Sequence, residues 1–584
     1  MAPVTAPPRP ASTGPAARPP TPPPTSAPKL DEAVAKVREA AARLVRLSLD
    51  DRVALARSMQ AGYLAIAKES VHAACAAKGI PLGTPLEGEE WTLGPWFVVR
   101  HLRLVQQALL AIKHTGNTTI GPLGRTADGR LTTQVFPAGS IDGTLFKGVR
   151  IDVHLRQGVT EQELNASRAP FYKGRAHDGR VVVVLGAGNI DGIPSLDVIT
   201  KIFNEGKACI LKMNPVNGYL GPYLERAYAQ AIRDGYLAIV YGGAEEGAYL
   251  VRHSGVDEIH ITGSDKTYDL MVWGPPGTER DLRKRENRPV LDKPITAELG
   301  GVCPVLVVPG PYTEKELTFQ AEDVASGLTF NAAFDCNANR VVVLPRGWPL
   351  RERFLEGLRQ ALEKAPDRQA YYPGARERWE RFTANHRGTN IGGKRSGALP
   401  WTVVAGIDPD AKAEPLFTEE SFAPIIAETA VGGPDPVEFL ENAVTFANDR
   451  LWGTLSTGLV VHPRTMKDKT TGAAVEQAIA RLRYGAVTVN AWSGLLFAFC
   501  TPPWGAHPSS TPADIQSGSG WVHNTPMLEC VEKAVMRHPL TMMPKPAYSL
   551  SHRSAHHLMP RMTALEEQAS WMKVPAVLAA AIKA

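Results

Sequence analysis

The sequence predicts an α/β protein: a doubly wound parallel-sheet domain, a second α/β domain, and a strand-rich arm. Three observations carry this. VVVVLGAGN (181–189) is an unbroken β-branched run ending in glycines, the pattern of a parallel strand buried on both faces that feeds a loop at its carboxyl end. After it, ACILK (208–212), LAIVYGG (237–243) and DEIHITGS (257–264) alternate with helical stretches at βαβ spacing, which favours a doubly wound parallel sheet. A second alternation opens at PVLVVPG (304–310) and closes at VTVNAW (487–492).

Taken in chain order, residues 1–28 are mostly Pro, Ala, Thr and Ser and are expected to form an extended, mobile tail. Helical periodicity starts near residue 30 with Val34, Val37, Ala41, Leu44 and Val45. Ser48, three residues before Asp51, is placed to cap a second helix, and Gly79 to end it. A further helix is predicted over about 94–113, and strands and loops over 115–180, including RIDVHL (150–155). The charged stretch within 269–293 reads as a solvated loop, and the chain after 505 as loop-rich without a clear core. The domain expectation is therefore a tail (1–28), a cofactor-binding domain (29–295, with 115–180 partly arm), a catalytic domain (296–505) and a C-terminal segment (506–584, partly arm).

Composition narrows the class. The chain has 584 residues, 44% hydrophobic and 21% charged, with a net charge of +5, a globular balance that gives little support for a nucleic-acid partner. No apolar run is long enough for a membrane span, and the N-terminus lacks a secretory h-region. Six cysteines are scattered without a CxxC pair, and the histidines show no metal spacing. That pattern fits a reducing, cytoplasmic setting without a structural metal.

The common phosphate-loop, dinucleotide and zinc signatures are absent. Instead, ligands of doubly wound sheets bind beyond the carboxyl ends of the strands, and GAGN, LKMNP and ITGS fall there. Three residues carry candidate chemistry. Cys336, in FNAAFDCNANRVVVLP (330–345), supplies a thiol that as thiolate attacks a carbonyl carbon. Glu298, in AELGG (297–301), supplies a carboxylate for the thiol proton or a hydrolytic water. Asn189, after the first buried strand, supplies an amide for a developing oxyanion. A lone cysteine is more often a small core residue, and that is the expectation for Cys75, Cys209, Cys303, Cys500 and Cys530.

VRHSGVDEIHITGS (251–264), AELGG, the spacing of Asn331, Cys336 and Arg340, EESFAP (419–424), FAND (446–449) and VTVN (487–490) occur in an order that resembles the aldehyde dehydrogenase superfamily, over about residues 30 to 540. The resemblance implies Cys336 as nucleophile, Glu298 as general base and Asn189 as oxyanion donor. It implies Lys212 on the adenosine ribose, Gly263 and Ser264 at the turn facing the pyrophosphate, and Glu420 and Phe422 around the nicotinamide ribose and ring. It also implies NAD or NADP as cofactor, a small aldehyde substrate oxidised to an acid through a thiohemiacetal and a thioester, and a homodimer or homotetramer assembled through the arm. The chain departs from the family pattern at Ala333 and Phe334, usually Gly-Gln, and at Asp335 beside the nucleophile. Pro215 stands where a glutamate usually meets the ribose hydroxyls, which makes NADP as plausible as NAD. Tyr268 takes the place of the second glycine of the pyrophosphate turn.

Two other readings stand beside aldehyde oxidation. LGAGNIDGIPSLDVITKIF (185–203) is similar to a loop of long-chain acyl reductases, which suggests an acyl-coenzyme A reductase using the same cysteine; Glu298 argues against it, since thioester exchange needs no water-activating base. A non-catalytic binding protein is the third. For the substrate pocket, Trp492, Phe497 and Phe499 suggest an apolar wall.

Overall fold

The structure, a computed structural model, describes residues 19–174 and 177–583. Two largely parallel sheets form its frame. The six-stranded sheet runs in the order Gly518–Ser519, Ile295–Leu299, Glu258–Gly263, Val181–Leu185, Ala208–Lys212 and Leu237–Val240, all parallel except Gly518–Ser519. Val181–Leu185, first of these in the chain, lies in the middle. The chain therefore winds outward one way and then the other, as the sequence predicts. The reversal leaves a crevice beyond the carboxyl ends of Val181–Leu185 and Glu258–Gly263, the usual ligand position in such sheets. Val181 to Val184 are all buried, which is why that strand reads as a continuous apolar run rather than an alternating one.

The eleven-stranded sheet is parallel from Val531–Arg537 across to Trp401–Ile407, with Thr389–Ile391 antiparallel at one edge. At its other edge lie Arg150–Leu155, Leu131–Phe136 and Leu123–Arg125. The strand-rich segment expected over 115–180 is thus an antiparallel extension of the large sheet of its own chain.

The predicted helix signals are found. Ser48 Oγ accepts from Asp51 N–H at 3.1 Å at the start of Leu49–Lys78, and Gly79 ends that helix at φ +65°, a conformation glycine adopts freely. The helix expected over about 94–113 is Phe97–Thr115, preceded by a widened turn, Thr92–Trp96, around Pro95, which has no N–H to offer the preceding turn. The first helix starts at Ala27, earlier than the periodicity suggests. Residues 1–18 of the expected tail lie outside the described residues, but its end is anchored: Thr25 N–H donates to Tyr241 O at 3.0 Å, and Thr25 Oγ1 accepts from Tyr241 N–H at 2.9 Å.

Two expectations need correction. The charged stretch within 269–293 contains a helix, Thr278–Arg285, with none of its residues buried; ion pairs such as Lys284–Asp269 at 2.6 Å accompany it, so apolar periodicity could not reveal it. The chain after 505 is not coreless. It supplies the sheet strand Val531–Arg537 and the helices Ala555–Glu567 and Val574–Ala581. Buried Arg100 ties that region down, donating to Glu566 at 2.7 Å and to Asp142 at 2.8 Å. Glu566 lies 466 residues from Arg100, so local pattern did not announce the tie.

Gly518 sets the register of the strand that carries Glu298. It lies at φ +116°, and a Cβ there would come within 2.0 Å of Ala297 O. Gly518→Ala is expected to destabilise the fold by about 3 kcal/mol, read as a lower urea midpoint; an unchanged midpoint would refute the close approach.

Candidate active site

Cys336 follows a left-handed turn. Asn331, Ala332 and Ala333 have φ of +48°, +57° and +71°, at a cost of roughly 1–2 kcal/mol per residue that surrounding bonds must offset. The Asn331 side chain holds the turn: its Nδ2 donates to Asn189 O (2.9 Å), Asp335 Oδ1 (3.1 Å) and Phe334 O (3.2 Å). Its Oδ1 accepts from Tyr371 OH at 2.9 Å and Lys78 Nζ at 3.3 Å. Arg340, buried, donates to Ala333 O at 2.7 Å and Ala423 O at 2.6 Å. The asparagine and arginine of the sequence pattern thus brace the nucleophile loop from both ends. The glycine usually found at position 333 suits this backbone; Ala333 adopts the same conformation with a Cβ. Asn331→Ala is expected to cost about 2–4 kcal/mol in denaturant unfolding, with loss of Cys336 reactivity; native stability would overturn this account of the turn.

A cleft of about 1000 Å³ opens beyond the carboxyl ends of the small sheet, and Cys336, Glu298, Asn189, Lys212, Gly263, Ser264, Glu420 and Phe422 all line it. Glu298 sits on Ile295–Leu299 and is buried. Its Oε1 accepts from Trp504 Nε1 at 2.9 Å, and the Cys336 thiol shares the cleft with its carboxyl. Burial pushes Glu298 up to about 7, opposed by Trp504 and the Cys336 thiol, so it is poised to take a proton near neutrality. The Cys336 thiol is driven well above its ordinary value by burial and by the carboxyls of Glu298, Asp335 and Glu420. It therefore rests as the thiol, and Glu298, in the same cleft, is the candidate acceptor for its proton. Asp335 is itself pushed up to about 7, burial being the largest cause.

Asn189 is partly committed. Its Nδ2 donates to Phe334 O at 2.8 Å, which anchors the loop two residues before Cys336 and leaves the second amide hydrogen for another acceptor. Glu420 is buried and pushed up to about 8, burial again leading, and its Oε1 has no hydrogen-bond partner. A Cβ on Gly300 would lie 2.2 Å from that oxygen, so glycine there makes room for the carboxyl. Phe422 packs against Tyr372 and Phe334 at ring distances of 4.9 and 5.7 Å. Ser264 caps the helix Asp265–Trp273 through Thr267 N–H, and Gly263 and Ser264 form its entry turn on the cleft. Tyr268 points into a core with Ile261 and Trp273 and does not line the cleft. Lys212 reaches the cleft from the end of its strand, near Glu246, and makes no ion pair among the described residues.

Sequence reasoning missed Trp504, Lys78, Tyr371 and Arg378. Lys78 pairs with Glu90 at 2.9 Å beneath the Asn331 turn, and Arg378 donates to Phe422 O at 3.2 Å. Each comes from a segment without a local signal, apart from the Tyr371–Tyr372 pair. Of the other cysteines, Cys75, Cys209, Cys303 and Cys500 are buried as expected, and Cys530 is half-buried. Phe499 stacks on Phe136 at 3.9 Å and lines neither cavity beside Cys336. Among the described residues, no cluster of three or more His, Cys, Asp or Glu is arranged for a metal ion, and no helix is long and apolar enough to cross a membrane.

Residues 197–511 match the model of the aldehyde dehydrogenase family. The chain belongs to the aldehyde dehydrogenase family. A curated aldehyde dehydrogenase similar to it, the aminoacetaldehyde dehydrogenase of Pseudomonas aeruginosa, is 24% identical over 268 residues, 43% of this chain and 46% of that protein. The match thus spans about half of the relative's length. Solved aldehyde dehydrogenases share the fold. The NADP-dependent glyceraldehyde-3-phosphate dehydrogenase of Bacillus halodurans, complexed with NADP, superposes with a TM-score of 0.57 at 16% identity, covering 88% of this chain and 91% of that one. An indole-3-acetaldehyde dehydrogenase of P. syringae, in complex with NAD+, gives 0.56 at 18% identity over 88% and 89%.

Trp504 stabilises the ionised form of Glu298, so removing its N–H raises that carboxyl further. Trp504→Phe is expected to move the rising limb of Cys336 alkylation by iodoacetamide to higher pH. An unmoved limb would show that Glu298 does not govern the thiol.

Proposed function

We propose that this protein oxidises an aldehyde to a carboxylic acid with NAD or NADP, through a thioester on Cys336. The observation that carries the reading is the meeting of Cys336, Glu298 and Asn189 in one cleft at the sheet's carboxyl edge.

Glu298 takes the thiol proton as Cys336 Sγ bonds to the aldehyde carbon. The free amide hydrogen of Asn189 is the candidate donor to the resulting oxyanion. When bound, the nicotinamide supplies the hydride acceptor that turns the thiohemiacetal into a thioester. Glu298 releases the thiol proton to solvent, then takes a proton from water as the water attacks the thioester carbon; the C–S bond breaks, the acid leaves, and Glu298 returns the proton to the departing sulfur, restoring the thiol. For the cofactor, Lys212 would hold the adenosine ribose, the Gly263–Ser264 turn the pyrophosphate, and the unpartnered Glu420 oxygen the nicotinamide ribose hydroxyls, with Phe422 against the ring. Pro215 itself supplies no carboxylate to reject a 2′-phosphate, and Lys212 and Arg252 both line the cleft, so NADP is as good a candidate as NAD. The partition into a cofactor-binding part (29–295) and a catalytic part (296–505) belongs to the same reading. So does a homodimer or homotetramer formed through the exposed edge strand Leu123–Arg125, which sedimentation would test.

The test is reduction of NAD and of NADP by a panel of aldehydes, followed by absorbance. Cys336→Ala is expected to abolish it. The wild-type rate should climb as pH rises through about 7, because below that value Glu298 is protonated and cannot accept a proton. Glu298→Gln should lose that limb and slow turnover by about 10²–10⁴-fold. Oxidation of reduced cofactor by an acyl-coenzyme A, with no aldehyde oxidised, would favour the reductase; silence in both directions would favour a binding protein.

A further inference from the structure

Cys336 lines a second cavity, of about 350 Å³, and is the one lining residue that the two share. Its wall is aromatic and aliphatic, including Trp96, Phe97, Phe330, Trp492, Leu495 and Phe497, all buried. The C-terminal helices Ala555–Glu567 and Val574–Ala581 close it with Leu558, Met559, Met562 and Val577.

The wall offers little to a polar ligand. Trp492 Nε1 is engaged by Asn337 O at 2.9 Å and Tyr548 OH by Asp323 at 2.6 Å, while Lys545 is held by Glu322 at 2.7 Å. Trp96 Nε1 and His538 Nε2 are the unpartnered exceptions away from the nucleophile loop. Met543 and Leu578, 82% and 38% exposed, also line the cavity, so an apolar rim reaches solvent. Exposed Lys147 is the free cation of the lining among the described residues.

We propose that this cavity takes the tail of the substrate, and that the substrate is a long, unbranched aliphatic aldehyde whose chain passes Met543 and Leu578 and presents its carbonyl to Cys336. The proposal rests on the reading of Cys336 as the aldehyde-oxidising nucleophile. At roughly 30 Å³ for each water-sized group, a cavity of about 350 Å³ holds a chain of about ten to twelve carbons. Each methylene moved from water into such a wall strengthens binding by about fourfold, and the unbranched methionines adapt to a flexible chain.

The test is kcat/KM for n-alkanals from butanal to hexadecanal. A rise of about fourfold per methylene, levelling near ten to twelve carbons, is expected, and Leu558→Trp, which fills the cavity, should move the optimum several carbons shorter. A measurement without turnover stands beside it: calorimetric binding of 1-butanol, 1-octanol and 1-dodecanol to Cys336→Ala protein, with dodecanol expected to bind orders of magnitude more tightly than butanol. Graded alkanol binding with no aldehyde oxidised would support the tail site while sinking the oxidative reading. Aldehyde oxidation that is flat in chain length, or that favours short ω-carboxylate aldehydes held by Lys147, would overturn the tail site and leave the oxidative reading intact.

Discussion

The left-handed turn at Asn331, Ala332 and Ala333 is the constraint on which the active centre depends. Three successive L-residues in that conformation do not persist alone; the hydrogen bonds of one buried asparagine and one buried arginine hold them there. Those bonds reach into separate parts of the chain: Lys78 at the end of the second helix, the Asn189 loop of the small sheet, Tyr371, and Ala423 beside the Glu420 loop. The nucleophile loop is therefore the knot that joins the two sheets, and Cys336 takes its position from both.

The electrostatics follow from that placement. Three carboxyls, Glu298, Asp335 and Glu420, raise the Cys336 thiol, and none of the leading influences on it is a cation. Such a site stabilises the neutral thiol and places the burden of activation on a nearby base. Glu298 meets that need because burial raises it toward neutrality while Trp504 and the thiol keep it within reach of ionisation. Asp335, unusual beside such a nucleophile, is itself raised by burial, so it repels the thiolate less than an ordinary surface carboxylate would.

The position of Cys336 between two unlike cavities separates two tasks. The larger cleft, with its strand-end loops, helix entry turn and orphaned Glu420 oxygen, has the polar groups a dinucleotide needs. The smaller cavity is almost hydrocarbon and is closed by the last two helices of the chain. The sheet frame sets the first, whereas the C-terminal segment helps to close the second.

The sequence by itself determined the fold class, the placing of GAGN and ITGS at strand ends, and the naming of eight residues that meet in the cleft. These are legible because a strand buried on both faces must be continuously apolar and because chemistry-bearing residues lie at strand ends or in ordered motifs. The helix Thr278–Arg285 was hidden by its lack of an apolar face. The large-sheet strand and closing helices after residue 505 were hidden because their partners, Arg100 and the arm, are far away in the chain. Only the tertiary structure decided that Trp504 orients Glu298, that Lys78 supports Asn331, that Tyr268 turns inward, and that the cavity behind Cys336 is apolar. Each of these is a contact between segments distant in sequence, and no local periodicity encodes such a contact; it exists only once both sheets have packed.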